Sequence, residues 1–399
     1  MVYQENFALS RSQGPGRSLA PISPTEVGSN GYRKWWVGIA VTPNLYRSGG
    51  TRLIFQPWFK DYVLNLDRLL AHQGFQQRTA LARYSMRFLI FGAGGIGAYY
   101  GARLLTAGHQ VQFVARGPHL EALQQRGLQL SHPDLRYDGP VNVCSQETLK
   151  DDLKADEFDL VILAVKCGAT RSLLETLGGW LGVGRRVPVL SLQNGVDNEP
   201  LIEALVGRSR TLGGLAVRIG GHVVAPGRVE AVGPAQILLG AWPDTVGNSA
   251  LADLAQQFAQ VFQTAGIPAT ASPDIRRELW RKLLINNGVN PLSALTGLDT
   301  RRLTSHPVLG RTVYALMEEA AAAARREGVQ LDRNDVDEMY HLICTFDPIK
   351  TSMLVDREQG RPLELEGICG AVIHRLEAAG DEASLTRLIR ALLELESEA

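Results

Sequence analysis

Lys282, Asn286 and Asn290 recur at four-residue intervals in a segment otherwise dominated by Trp280, Leu283, Leu284 and Ile285. On a helix the three would share one face. An ammonium beside two amides can grip a small polar ligand and pass a proton to an oxygen that gains charge. Burial would lower the lysine's pKa. The same stripe also suits a solvent-facing polar edge, and spacing alone leaves both readings open. A second set is Gly92, Gly94 and Gly97, in the run Gly92-Ala93-Gly94-Gly95-Ile96-Gly97. It fits G-x-G-x-x-G, whose glycines serve a tight turn, close backbone approach to a pyrophosphate, and close helix–strand packing.

The elements that must hold these residues follow from the surrounding pattern. Phe88 to Phe91 is a short apolar run that reads as a strand buried on both faces. Ala98 to Leu105 continues as a helix, and its free N–H groups and dipole would favour phosphate. A second strand, Val111 to Ala115, follows Gly108. A carboxylate at its end would bond a ribose 2′-OH, but Ala115-Arg116 stands there. Arg116 suits a 2′-phosphate, or is a solvated loop arginine. Phe158 to Val165 is a further buried strand ending in Lys166, at the carboxyl edge where open α/β sheets bind ligands. Val187 to Leu192 leads into Gln193-Asn194-Gly195, a turn pair that also sits at a carboxyl edge.

Strands near Arg210 to Arg218 and Gly227 to Leu239 look antiparallel, and a helix over Ser249 to Ala265 precedes a short strand at Pro268 to Ala271. After Pro273 the pattern is helical: Ile275 to Val289 capped by Asp274, then Val308 to Glu327, Arg333 to Cys344, and a helix opened by Glu364 to Gly370. The last helix, Asp381 to Glu398, carries Leu385, Leu388, Ile389, Leu392 and Leu393 on one side. The fold class is α/β: an N-terminal Rossmann-type dinucleotide-binding domain over 86–272 and an all-helical domain over 273–399.

The 399 residues include 41 Lys plus Arg and 41 Asp plus Glu, a balance that argues against a nucleic-acid partner. No apolar run is long enough for a membrane span. Cys144, Cys167, Cys344 and Cys369 are scattered, which argues against a metal site or disulfide framework and suits a reducing cytoplasm. Residues 1–85 show no sustained periodicity before Leu64, with a short helix expected near Tyr62 to His72. They read as a disordered extension or an over-extended gene start, with Met86 as the natural beginning.

Taken in order, these motifs resemble the ketopantoate reductase (2-dehydropantoate 2-reductase) family: the glycine run, Val165-Lys166, Gln193-Asn194-Gly195, Glu278 to Ala294, Thr351-Ser352-Met353 and Glu364-Leu365-Glu366. The resemblance spans Met86 to about Leu393. It implies a helical domain like that of 6-phosphogluconate dehydrogenase and a site between the domains. It implies NADP(H) as cofactor, Lys282 as general acid, and Asn194 touching both nicotinamide and substrate. Asn286, Asn290 and Ser352 would bind substrate, and Glu364 would lie near cofactor and lysine. Arg116 and Lys166 would lie near the 2′-phosphate end, and Ile219 would offer a backbone contact to the cofactor.

The implied reaction is hydride transfer from NADPH to the C2 carbonyl of a 2-oxo acid, yielding (R)-pantoate for pantothenate and coenzyme A, with no metal. A homodimer is compatible with it. Cys369 stands where the family has Asn, and Thr300 where some members have a substrate-binding Asn, so another 2-oxo acid is an alternative substrate. A non-catalytic NADPH-binding regulator is a third reading, which the presence of Lys282 and Glu364 disfavours.

Overall fold

The computed structural model describes residues 85–183, 187–346 and 348–398. The expectations for residues 1–84, including the helix near Tyr62, lie outside them. Strand β1 (Arg87–Phe91) leads into helix α1 (Gly95–Thr106), then β2 (Gln110–Val114) and α2 (Gly117–Arg126). Two strands of a separate small sheet follow, β3 (Leu128–His132) and β4 (Leu135–Gly139). The chain returns through β5 (Asn142–Cys144), α3 (Gln146–Asp152), β6 (Leu160–Leu163), α4 (Thr170–Val183), β7 (Val189–Ser191) and α5 (Asn198–Val206). Then come β8 (Thr211–Val217), β9 (Gly220–Ala225), β10 (Arg228–Val232), β11 (Gln236–Ala241), α6 (Ser249–Thr264) and β12 (Ala269–Ala271).

The main sheet has the order β12-β11-β8-β7-β6-β1-β2-β5. Its strands from β5 to β8 are all parallel, while β11 runs antiparallel to β8 and parallel to β12. β1 lies at the centre, with Phe88 aligned to Val111 on one side and Leu160 on the other. Its residues Phe88, Leu89 and Ile90 are fully buried because both faces are covered. Phe88 and Ile90 pack with Phe113, Phe258 and Phe262, while Leu89 and Phe91 pack with Val161, Leu163 and Leu177 on the opposite face.

The stretch Gly227 to Leu239 is two strands in two sheets. β11 pairs antiparallel with β8 as the sequence suggests, but β10 joins β9, β3 and β4 in a four-stranded sheet of order β4-β3-β10-β9. Gly233, at φ +98°, separates them: a Cβ there would lie 2.2 Å from the Arg218 carbonyl. The small sheet packs against α1 through β9 and β10.

From Ile275 onward the described residues are helical: α7 (Ile275–Thr296), α8 (Thr300–Ser305), α9 (Leu309–Arg326), α10 (Arg333–Thr345), α11 (Ser352–Glu358), α12 (Ala371–Ala378) and α13 (Ser384–Glu398). Asp274 caps α7 by accepting the Arg277 N–H at 3.0 Å. α7 runs past the expected end at Val289, straight through Pro291. Proline normally ends a helix, but every residue from Asn286 to Ala294 is buried, and that packing outweighs one missing hydrogen bond. Glu366–Gly370 forms a π-helical turn before α12. On α13, Ile389 and Leu393 are buried, whereas Leu388 and Leu392 are exposed, so the expected single apolar side is divided between core and solvent.

Candidate active site

The glycine loop leaves the carboxyl end of β1 beside β6, where the connections diverge to either side of the sheet and ligand crevices form. Gly92 has φ +98°, and a Cβ there would meet the Ala164 carbonyl at 2.8 Å. Gly97 lies so close to the Gly92 carbonyl that a Cβ would come within 1.9 Å. Gly94 is different: a Cβ there would meet nothing within 4 Å. It caps α1 with no side-chain bond, and no acidic residue stands in the first turn. A tight turn, close packing, open space and an uncompensated helix start fit a bound pyrophosphate. Gly95 meets a demand the sequence does not reveal: a Cβ on it would lie 1.9 Å from Gly221 of β9. The loop is therefore pressed against the small sheet on one side and open at Gly94.

Arg116 is the exposed residue preceding α2. Its guanidinium makes no ion pair or hydrogen bond among the described residues, so it is available to an anion. Ile219 lies half-buried between β8 and β9, beside Arg218, whose φ of +53° is rare for a residue with a side chain.

Glu364 joins the two lobes. Its carboxylate accepts the Cys167 N–H at 3.0 Å and the Asn194 side-chain amide at 3.1 Å, and lies 3.5 Å from Lys166 Nζ. Burial alone would raise its pKa. Lys166 and these two donors outweigh that and hold it below the ordinary glutamate value. Lys166 also pairs with buried Asp356 of α11, whose other oxygen takes Arg361 at 2.9 Å. Lys166 is thus engaged by two carboxylates of the helical lobe, which raise its pKa against the opposing effect of burial. Gly195, at φ +95°, sits under Gly367, where a Cβ would be 2.9 Å from the carbonyl. The Asn-Gly turn is therefore a contact point between lobes as well as a turn.

Lys282 is half-buried on α7 and donates to the Ala216 carbonyl of β8 at 2.9 Å. Loss of hydration lowers its pKa to about 8, and only in part do the charges of Glu364 and Glu199 oppose this. Asn286 and Asn290, 9% and 6% exposed, follow on the same face. Neither side-chain amide has a hydrogen-bond partner among the described residues. Their amide atoms are not sealed from solvent, so both are open to a polar ligand beside the lysine. Neighbouring Asn287 points into the core instead: its Nδ2 donates to the Leu316 carbonyl at 2.9 Å and to Thr386 at 3.1 Å, while its sealed Oδ1 has no partner.

Ser352 is exposed at the start of α11, which packs against α7. Thr300 is fully buried and exchanges bonds with Ile349, so it braces the approach to Ser352. Cys369 is buried in the π-helical turn. Sequence reasoning missed Glu199. It is completely buried in the first turn of α5, neither of its oxygens has a hydrogen-bond partner, and burial raises its pKa to about 8. Among the described residues no group of His, Cys, Asp or Glu could hold a metal ion, and no helix is long and apolar enough to cross a membrane.

Comparison with known proteins agrees with this fold. The family model described as ketopantoate reductase PanE/ApbA matches residues 88–244, and the model for the C-terminal part of the same family matches residues 274–396. A 2-dehydropantoate 2-reductase of Nostoc sp. is 30% identical over 294 residues, covering 74% of this chain and 90% of the relative. The crystal structure of a PanE/ApbA family ketopantoate reductase from Ralstonia eutropha is 29% identical, with a TM-score of 0.68, covering 78% of this chain and 99% of the other. D-mandelate dehydrogenase, solved with NADH and anilino(oxo)acetate, has the same fold at 22% identity, with a TM-score of 0.71 and coverage of 78% and 98%. A parallel sheet with a glycine loop, a helical lobe bearing Lys282, and family models over both place this chain in the ketopantoate reductase family of oxidoreductases.

Proposed function

We propose that this protein reduces 2-dehydropantoate to (R)-pantoate with NADPH, a step towards pantothenate and coenzyme A. The observation that carries the reading is the α7 face, where Lys282 stands on the same side as the solvent-reachable amides of Asn286 and Asn290, which have no partner among the described residues. Gly92 to Gly97 would hold the pyrophosphate, Arg116 the 2′-phosphate, and Asn194 and the backbone near Ile219 the nicotinamide end. A nicotinamide dinucleotide bound there supplies the hydride.

The chain's own residues then manage charge and proton. Negative charge develops on the substrate's C2 oxygen as the carbonyl is reduced, and Lys282 donates its proton to that oxygen. With a pKa of about 8 it is charged at neutral pH, yet a better donor than an ordinary lysine. Glu364 supports the charged form, and its bond to Asn194 fixes that amide for contact with substrate and cofactor. Asn286, Asn290 and Ser352 would hold the carboxylate and terminal hydroxyl. Cys167 and Asn194 on one lobe and Glu364 on the other bring the walls together and exclude water.

The test is loss of nicotinamide absorbance when purified protein is mixed with NADPH and 2-dehydropantoate, compared with Lys282→Ala. Rapid loss in the parent and not in the variant supports the reading; no loss with a folded, NADPH-binding parent overturns this substrate. A second reading keeps the chemistry and changes the 2-oxo acid. It is favoured by the fold shared with D-mandelate dehydrogenase, which was solved with anilino(oxo)acetate and NADH. A panel of branched and aromatic 2-oxo acids separates the two.

A further inference from the structure

The imidazole of His119 holds a position that none of these steps uses. It lies in the first turn of α2, three residues after Arg116. Its Nδ1 accepts the backbone N–H of Gly227 at 3.0 Å, and its Nε2 is 2.9 Å from the Ala93 carbonyl. Because Nδ1 already accepts, the ring proton sits on Nε2 and is donated to Ala93. One ring therefore ties together α2, the β9–β10 turn and the middle of the glycine loop.

The surrounding contacts make this a defined joint. Gly227, at φ +80°, fits against Ala122 of α2 where a Cβ would be 3.2 Å away, and its carbonyl takes the Gln129 N–H at 2.9 Å. At the other end of β9, Gly221 abuts Gly95. The small sheet is thus fastened to the glycine loop at two points, Gly95 and, through His119, Ala93. A trans peptide points its C=O and N–H to opposite sides. Holding the Ala93 oxygen therefore turns the Gly94 N–H away from His119, in the residue whose Cβ side is open.

We propose that His119 is a positioning residue for the dinucleotide: it fixes the Ala93–Gly94 peptide at a set distance from Arg116, so that one ligand is gripped at pyrophosphate and 2′-phosphate together. This rests on the proposed NADPH-dependent function. NADH lacks the 2′-phosphate and gains nothing from that spacing. Loosening the joint therefore weakens NADPH more than NADH and lowers the ratio of the two affinities.

The experiment titrates the full chain with NADPH and with NADH, following nicotinamide fluorescence, with steady-state kinetics and melting curves alongside. His119→Asn keeps an acceptor near the Nδ1 position and loses the donor to Ala93. His119→Gln keeps a donor near the Nε2 position. His119→Asn and His119→Ala are expected to weaken NADPH about tenfold, near the worth of one neutral hydrogen bond. NADH should weaken less, and the oxo-acid KM and the kcat at saturating NADPH should stay unchanged. His119→Gln should retain the parent's NADPH affinity. Parental affinity in His119→Asn, equal loss for both dinucleotides, or a His119→Gln variant as weak as His119→Ala would each overturn the assignment of His119 alone. A folded parent that binds neither dinucleotide would overturn the proposed function and this inference with it.

Discussion

The side-chain amide of Asn194 donates to Glu364 at 3.1 Å, across the seam between the sheet and the helical lobe. The two residues are 170 positions apart, yet one bond orients both. Glu364→Gln keeps the shape and removes the charge. It is expected to lower kcat/KM about tenfold, the scale of a hydrogen bond to a charged group. The negative charge of Glu364 also raises the Lys282 pKa. Its removal should move the basic limb of the pH–rate profile to lower pH; an unmoved limb would exclude the coupling.

Lys282 must carry its proton to act as an acid. With a pKa of about 8, the reduction rate is expected to level off below that pH and to fall tenfold per unit above it. Lys282→Ala should lose about a hundredfold or more in kcat while keeping NADPH binding, because the side chain contacts the Ala216 carbonyl and not the glycine loop. Stopped-flow reduction across roughly pH 6 to 10 measures both.

Arg116 is exposed and makes no ion pair among the described residues, so its removal should leave the fold intact. Arg116→Ala is expected to weaken NADPH by about tenfold or more, as for a charge-assisted hydrogen bond, and to leave NADH within about twofold. Titration with the two dinucleotides decides it. Equal effects on both would remove Arg116 from the 2′-phosphate site.

Glu199 yields a prediction about stability. Its folded pKa of about 8 lies above the ordinary glutamate value of about 4.3. Between these values the folded chain holds a proton that the unfolded chain has released. Stability is therefore fully present below about pH 4 and is lost as pH rises towards 8, by an amount of order 5 kcal/mol over the window. Glu199→Gln should remove that slope and resist denaturant better than the parent at the alkaline end. Urea midpoints measured at several pH values test it; parallel slopes would show that Glu199 is not the group involved.

Much of the sheet and its glycine loop is legible in the sequence because the constraints are local. Phe88 to Phe91 must be buried on both faces, Gly92 takes a φ of +98°, and Gly97 sits where a Cβ would collide with the Gly92 carbonyl five residues earlier. The small sheet is not legible, because β3 and β10 are far apart in sequence and Gly233 separates two strands that read as one run. Pro291 misleads for a related reason: its local preference is to stop a helix, and the packing that overrides it comes from the rest of the lobe. At the candidate site, the α7 stripe shows in its spacing. The Glu364–Asn194 bond does not, since nothing near either residue signals the other. Glu199 reads as an ordinary acidic residue in a helix's first turn, and only the enclosing structure reveals that it is sealed from water.

The passage of α7 through Pro291 has a consequence for how selectivity could change. Lys282, Asn286 and Asn290 are graduations on one rigid rod, about 6 Å apart at the backbone. Their mutual spacing is a constant that no rearrangement of the lobes alters. A longer or bulkier substrate cannot be accommodated by stretching this rod. Room must come from what packs against it, β8 around Ala216 and the segment leading to Ser352. New specificities in this architecture should therefore be written opposite α7, while α7 itself stays as the fixed measure against which each substrate is read.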